Sequence, residues 1–260
     1  MRVRAALAAA ALAVTATACQ QVAHAAEDPV AAPAAKRMAK ERGGLKTAVF
    51  AGGCFWGVEA VFSHVKGVTA AVSGYHGGTE RQASYKLVSS GVTDHAEAVR
   101  ITYDPAVIRY DQLLRIFFSV VADPTQLNRQ GPDVGAHYRS AIVPMSAEQN
   151  AVAKAYLAQL KATGIWDRPI VTRIERAQAF YPAEGEHQNF MLKNPRNGYI
   201  LRWDAPKVKA LKAMYPGDPA AADKALAAVT AQVEKATAIA KTDDAKKKLA
   251  DLIATKQQPA

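Results

Sequence analysis

The sequence predicts an α+β protein in which helices cover one or both faces of a mixed sheet. Three observations carry this. Short apolar runs and segments of helical apolar spacing alternate irregularly between Thr47 and about Asp204. Half of the residues are hydrophobic, ample for a packed core. A polar, glycine-bearing stretch from Asp123 to Ala136 breaks the pattern as a long functional loop does. The 260 residues suffice for one large domain or two small ones.

Taken in order, Thr47 to Ala51 is an apolar run entering a glycine turn and reads as a buried strand. Val58, Val61, Phe62 and Val65 then recur at helical spacing, so Cys54 falls at a helix N-terminus. Val68 to Ser73 and Ala96 to Tyr103 read as strands, and Tyr110 to Val121 as a helix with Leu113, Leu114, Phe117, Phe118 and Val121 on its apolar face. His137 to Pro144 reads as a strand, Ala147 to Ala162 as a helix and Ile170 to Ile174 as a strand.

The flanks differ in composition. Residues 1 to 25 carry Arg2 and Arg4, an almost unbroken apolar stretch from Ala5 to Ala18 and then small residues, which predicts a secretory signal and an exported product, periplasmic or secreted. Cleavage after Ala23-His24-Ala25 would remove Cys19, whereas lipoprotein processing at Ala16-Thr17-Ala18-Cys19 would leave it as a lipid-anchored N-terminus. Ala16 stands where lipoprotein signals carry Leu, which favours the soluble product. Residues 26 to 46, rich in Ala, Pro and charge without apolar periodicity, read as a linker. Beyond Asp204 the composition turns to Ala and Lys. Leu226, Val229, Val233 and Ala236, then Leu249, Leu252 and Ile253, predict one or two helices after the Tyr215 to Pro219 turn, read as a solvated C-terminal extension over 205–260.

The formal charge of +10 lies mostly in these flanks: residues 47 to 204 carry only +2. Nucleic-acid binding is therefore not predicted. The six histidines show no close ligand spacing, and no phosphate- or dinucleotide-binding glycine loop occurs, so the simplest chemistry is a thiol reaction without a bound cofactor or metal. Cys54, in Gly52-Gly53-Cys54-Phe55-Trp56-Gly57, is the candidate nucleophile, because free backbone N–H groups and the helix dipole favour a thiolate there. A cysteine hydrolase would need a histidine base, and His76, His95, His137 and His187 are all open to that role.

Six collinear motifs resolve the choice by resemblance. GCFWG at Gly53 to Gly57, GYHGG at Gly74 to Gly78, the Tyr85 to Glu97 stretch ending in DHAEAV, YDP at Tyr103 to Pro105, DPTQLNRQGPDVGAHYRSAI at Asp123 to Ile142 and PAEGEHQ at Pro182 to Gln188 resemble the A-type peptide methionine sulfoxide reductases in order and spacing, from about Thr47 to Trp203. The resemblance implies a two-layer α+β sandwich with a ferredoxin-like core and reduction of the S epimer of methionine sulfoxide, free or in proteins. It makes Cys54 the nucleophile that becomes a sulfenic acid and Glu97 the acid that protonates the sulfoxide oxygen, its pKa raised by desolvation. Tyr85 and Tyr138 become phenols hydrogen-bonded to that oxygen, Asp133 an orienting carboxylate, and Phe55 and Trp56 the walls of the methyl pocket.

The chain departs from the family pattern at Ala122, where His is usual, at Asp94, where Gly is usual, at His137, where Gln is usual, and at Glu186, where Tyr is usual. It also lacks the C-terminal recycling cysteines that many relatives carry. The expected reductant is thus an outside thiol: a thioredoxin-like or glutaredoxin-like protein, or a small thiol. A monomer is expected. The rival expectation is a non-catalytic exported protein that binds methionine-rich surfaces.

Overall fold

A computed structural model describes residues 29–216; the signal segment with Cys19 and the apolar seam from Leu226 to Ile253 lie outside the described residues. β1 (Lys46–Gly52) is buried over its last five residues, and it leads through a glycine turn into α1 (Phe55–Ser63). β2 (Val68–His76) follows, then the short α2 (Tyr85–Ser89) and β3 (Ala96–Tyr103). α3 (Tyr110–Ile116) runs into a wider π turn at Phe117–Val121. The loop beyond holds the two-residue strands β4 (Arg129–Gln130) and β5 (Asp133–Val134) and a 3₁₀ turn at Ala136–Tyr138. β6 (Ser140–Val143), α4 (Ala147–Thr163), β7 (Arg173–Ile174), β8 (Phe180–Pro182), α5 (Phe190–Lys193) and α6 (Ala205–Met214) complete the described chain.

The main sheet has the order β7-β6-β1-β3-β2-β8. Its inner four strands pair antiparallel in the β-α-β-β-α-β sequence expected of a ferredoxin-like core, while β7 pairs parallel to β6 at one edge and β8 antiparallel to β2 at the other. Strand alternation assigns the faces. Ala48, Phe50, Tyr75, Val99, Ile101 and Tyr103 turn to the larger core with residues of α1, α3 and α6, whereas Val49, Ala51, Ala96, Ala98, Ala141 and Val143 form a smaller cluster on the reverse with Phe180. Phe50 anchors the larger core, with its ring 5.4 Å from Phe62, 6.0 Å from Tyr110 and 5.3 Å from Phe117. Full burial of one such ring contributes about 1.5–3 kcal/mol.

The structure revises four expectations. The predicted helix Tyr110–Val121 widens after Ile116, and the Ala122 N–H donates to the Phe117 carbonyl. All five residues of this turn are buried, as are those of α3 before it. His137 and Tyr138 belong to the 3₁₀ turn that Gly135 begins at φ +145°, so the predicted strand starts only at Ser140. Of Ile170–Ile174 only the last two residues pair in the sheet, because the Val171 N–H is held by the Pro124 carbonyl.

The fourth revision concerns the flanks. Residues 29–45, predicted to be a linker, lie on α3 and α4. Arg115 donates to the Ala32 carbonyl, Tyr156 to the Pro33 carbonyl, and the Ala39 N–H to Asp111. Alanines with no periodicity gave no sign of this, since the contacts are made by the backbone. At the other end α6 precedes the Tyr215 turn and buries Val208 and Leu211, so the core continues past Asp204.

Candidate functional site

The site is built where β1 ends. Gly53 has φ +89°, and a Cβ there would come within 2.6 Å of Gln130 Cβ, so only glycine permits both the turn and the close approach. Cys54 is the N-cap residue of α1 and a free thiol. The Trp56 backbone N–H lowers its pKa, as the helix N-terminus predicts. Burial, together with the carboxylates of Glu97, Asp204 and Asp133, outweighs that influence and raises the thiol well above the ordinary value. The pull of the helix N-terminus is thus outweighed at this thiol.

Glu97 projects from β3 toward the first turn of α1 and is 1% exposed. Its Oε2 accepts the Phe55 N–H at 3.0 Å. Burial pushes its pKa up to about 8 against the lowering influence of that hydrogen bond, and the Asp133 and Asp204 carboxylates push in the same direction as burial. At neutral pH the carboxyl therefore holds its proton.

Tyr85 begins α2, and its N–H donates to Glu184 Oε1 at 2.9 Å. Tyr138 closes the 3₁₀ turn. Burial raises both phenols, Tyr85 to about 12 and Tyr138 further, and the charges of Glu97, Asp133 and Cys54 act on both in the same sense. Both remain hydrogen-bond donors. Asp133 accepts a hydrogen bond from the Tyr199 hydroxyl; burial raises this carboxylate, while Tyr199, Lys207 and His137 draw it back. The shared electrostatics of Cys54, Glu97, Tyr85, Tyr138 and Asp133 gather all five predicted polar residues at one place.

Phe55 and Trp56 sit differently from one another. Phe55 is 0% exposed, packed between Tyr75, Tyr85 and His187. Trp56 stays partly exposed, stacks on Phe190 at 3.7 Å between ring centres and donates its indole N–H to His187 Nδ1 at 3.3 Å. The depression that reaches Cys54 is lined by Gln130, Gly131, Pro132, Asp133, Tyr199, Trp203 and Lys207.

Sequence reasoning missed several supports of this arrangement. Glu184 also accepts from the Tyr75 hydroxyl at 2.7 Å. Gln188 bonds the backbone of Ser73, and the Asn189 N–H donates to the buried Glu59, so residues 182–190 strap the aromatic wall to α1 and β2. Asp204 lies against Gly57, where a Cβ would stand 2.2 Å from its Oδ1. A glycine inside a helix was the one available signal of that approach. Of the candidate histidines, His95 is tied through both ring nitrogens to Gly78 and Thr79, and His76 faces Glu175 on the reverse of the sheet. Among the described residues, the charges acting on Cys54 are those of carboxylates.

The family described as peptide methionine sulfoxide reductase matches residues 46–218. The chain belongs to that family. Peptide methionine sulfoxide reductase MsrA 2 of Mesorhizobium japonicum is 53% identical over 173 residues, covering 66% of this chain and 89% of that protein. MsrA 2 of Synechocystis is 52% identical over 172 residues, covering 66% and 80%. Among solved structures, reduced Mxr1 from Saccharomyces cerevisiae is similar with a TM-score of 0.55 and 34% identity, covering 62% of this chain and 92% of that one. As a member of this family the chain is an oxidoreductase that reduces methionine sulfoxide in a thiol-dependent reaction.

Proposed function

We propose that Cys54 attacks the sulfur of the S epimer of methionine sulfoxide while Glu97 protonates the departing oxygen. In the adduct the substrate's S–O bond and the new sulfur–sulfur bond break as the oxygen passes to Cys54, leaving a sulfenic acid on the enzyme and free methionine. The thiol hydrogen replaces the proton that Glu97 gives up, so atoms and charge balance. Tyr85 and Tyr138 donate hydrogen bonds to the oxygen, Asp133 orients the substrate, and Phe55 and Trp56 provide the apolar surround of its methyl group.

The observation that carries this reading is the buried Glu97, its pKa raised by burial, hydrogen-bonded to the turn that holds Cys54. A neutral acid beside the thiol adds no further charge to a desolvated pocket before substrate enters. Incubation of the protein with both epimers of a methionine sulfoxide peptide and excess dithiothreitol should consume only the S form, and Cys54→Ser should abolish this. Survival of both epimers would overturn the reading.

The second half of the cycle is a one-cysteine cycle: two outside thiols reduce the sulfenic acid, regenerating Cys54 and releasing water and a disulfide. A thioredoxin-like or glutaredoxin-like protein and a small thiol supply the same chemistry. An intramolecular disulfide in turnover samples of the mature chain would refute this. The signal pattern of residues 1–25 supports export and the repair of oxidised exported proteins. Intact-mass measurement of the exported product should match a chain beginning at Ala26, and an acylated Cys19 would overturn the soluble form.

A further inference from the structure

His137 occupies a built position that the reaction above does not use. The residue is 5% exposed, and its imidazole lies against Gly135, where a Cβ would meet its Cε1 at 2.4 Å. Gly91, at φ +74°, leaves space on another side, with the same atom 3.9 Å from where its Cβ would be. The ring centre is 4.1 Å from that of Tyr138, and Nδ1 is buried without a hydrogen-bond partner among the described residues. Gly135 thus admits an imidazole that packs on the phenol assigned to the sulfoxide oxygen.

We propose that His137 is a positioning residue for Tyr138 and that protonation of its imidazole switches the first chemical step off at low pH; this rests on the role given to Tyr138 above. A neutral ring serves as an apolar platform for the phenol. An imidazolium has two donors to satisfy, and Nδ1 has no acceptor among the described residues, so the charged ring is driven from its place and carries Tyr138 with it. Its cation also opposes the positive charge that develops on the substrate as oxygen is protonated.

The charged neighbours set the balance. Asp133 favours the cation, whereas burial and Arg139 disfavour it and lower the pKa of the imidazole, burial being the larger influence. From the 91–95 turn, the Asp94 carbonyl accepts from Arg139 at 3.2 Å. On β4 the Arg129 guanidinium turns to the Gly131 carbonyl at 2.7 Å. On β3 Glu97 raises Tyr138 through its charge, and that charge is lost as pH falls below about 8.

The test is single-turnover release of methionine from the pre-reduced full chain mixed with an S-sulfoxide peptide, a design that keeps the pH dependence of any added thiol out of the measurement. The wild-type rate should fall about tenfold per pH unit below the imidazole's titration. His137→Gln should keep the rate at about pH 8 to within about threefold, the size of a weakened ring contact, and should lose the acidic fall. In wild type the His137 ring resonance should titrate over the same range as the rate. An acidic fall that persists in His137→Gln, or a ring resonance that does not move with the rate, would overturn the proposal. Methionine release at no pH would instead remove the reading of the active site beneath it.

Discussion

Glu97 Oε2 and the Phe55 backbone N–H are 3.0 Å apart. This hydrogen bond joins the central strand β3 to the turn that presents Cys54, so acid and thiol are held by one local structure. It also competes with burial. A carboxylate would accept the N–H more strongly than the neutral acid does, yet desolvation prevails and leaves the pKa at about 8.

Glu97→Gln tests that balance. The amide keeps an oxygen for the Phe55 N–H but has no proton to give, so kcat/KM should fall by about 100- to 10,000-fold. In wild type the active form is the protonated acid; it is present below the folded-state pKa and lost as pH rises through about 8. Single-turnover rates should therefore decline above about that value in wild type and show no such decline in Glu97→Gln. A parallel decline in both proteins would assign the limb to another group.

The thiol offers a second measurement. Because burial and the neighbouring carboxylates hold Cys54 un-ionised, thiolate absorbance in the ultraviolet should stay absent at neutral pH and appear only well into the alkaline range. Glu97 ionises first, and its charge then opposes that of the sulfur. Glu97→Gln should accordingly move the thiolate transition to lower pH, and an unchanged transition would dissociate the two groups.

The sheet core was legible because its strands are short segments rich in apolar residues, and the predicted positions of β1, β2 and β3 lie within a few residues of those observed. The site was legible only through joint resemblance of motifs. Nothing local in Ala96-Glu97-Ala98 announces a buried carboxyl; its burial comes from α1 crossing that end of the sheet. Glu184 and Asp204 were hidden for a related reason, since each acts on residues about a hundred or more positions away. The thiol's pKa was misjudged because a helix N-terminus is visible in sequence, whereas three converging carboxylates from distant segments are not.

The N-terminal segment gives a third prediction. Val30 and Ala32 bond Ser119 in the π turn, and Ser119 Oγ also meets the Tyr215 hydroxyl at 2.9 Å. The same turn backs Gly52, where a Cβ would lie 2.8 Å from Phe117. A chain starting at Leu45 loses these backbone bonds and the burial of Ala32, which should cost a few kcal/mol and lower Tm by roughly 5–10 °C. Thermal unfolding measured against a chain starting at Ala26 checks this. Equal Tm values would return the segment to the role of a linker.

Gly57→Ala tests the approach of α6 to α1. In an exposed helix this change stabilises by up to about 1 kcal/mol, because alanine is the better helix former. Here the added methyl would stand 2.2 Å from Asp204 Oδ1 and 2.8 Å from its Cγ, so α1 or Asp204 must shift and the sign reverses, with a loss of about 1–3 kcal/mol. The displacement has an electrostatic consequence as well. Asp204 is one of the carboxylates that raise Cys54, so pushing it away should lower the pH at which the thiolate forms. Asp204→Ala removes both the clash and the charge; the double variant should recover most of the stability that Gly57→Ala loses relative to its Asp204→Ala parent, a coupling that a thermodynamic cycle measures directly. Additive losses in that cycle would show that the methyl is accommodated elsewhere and that Asp204 does not govern the packing of α1.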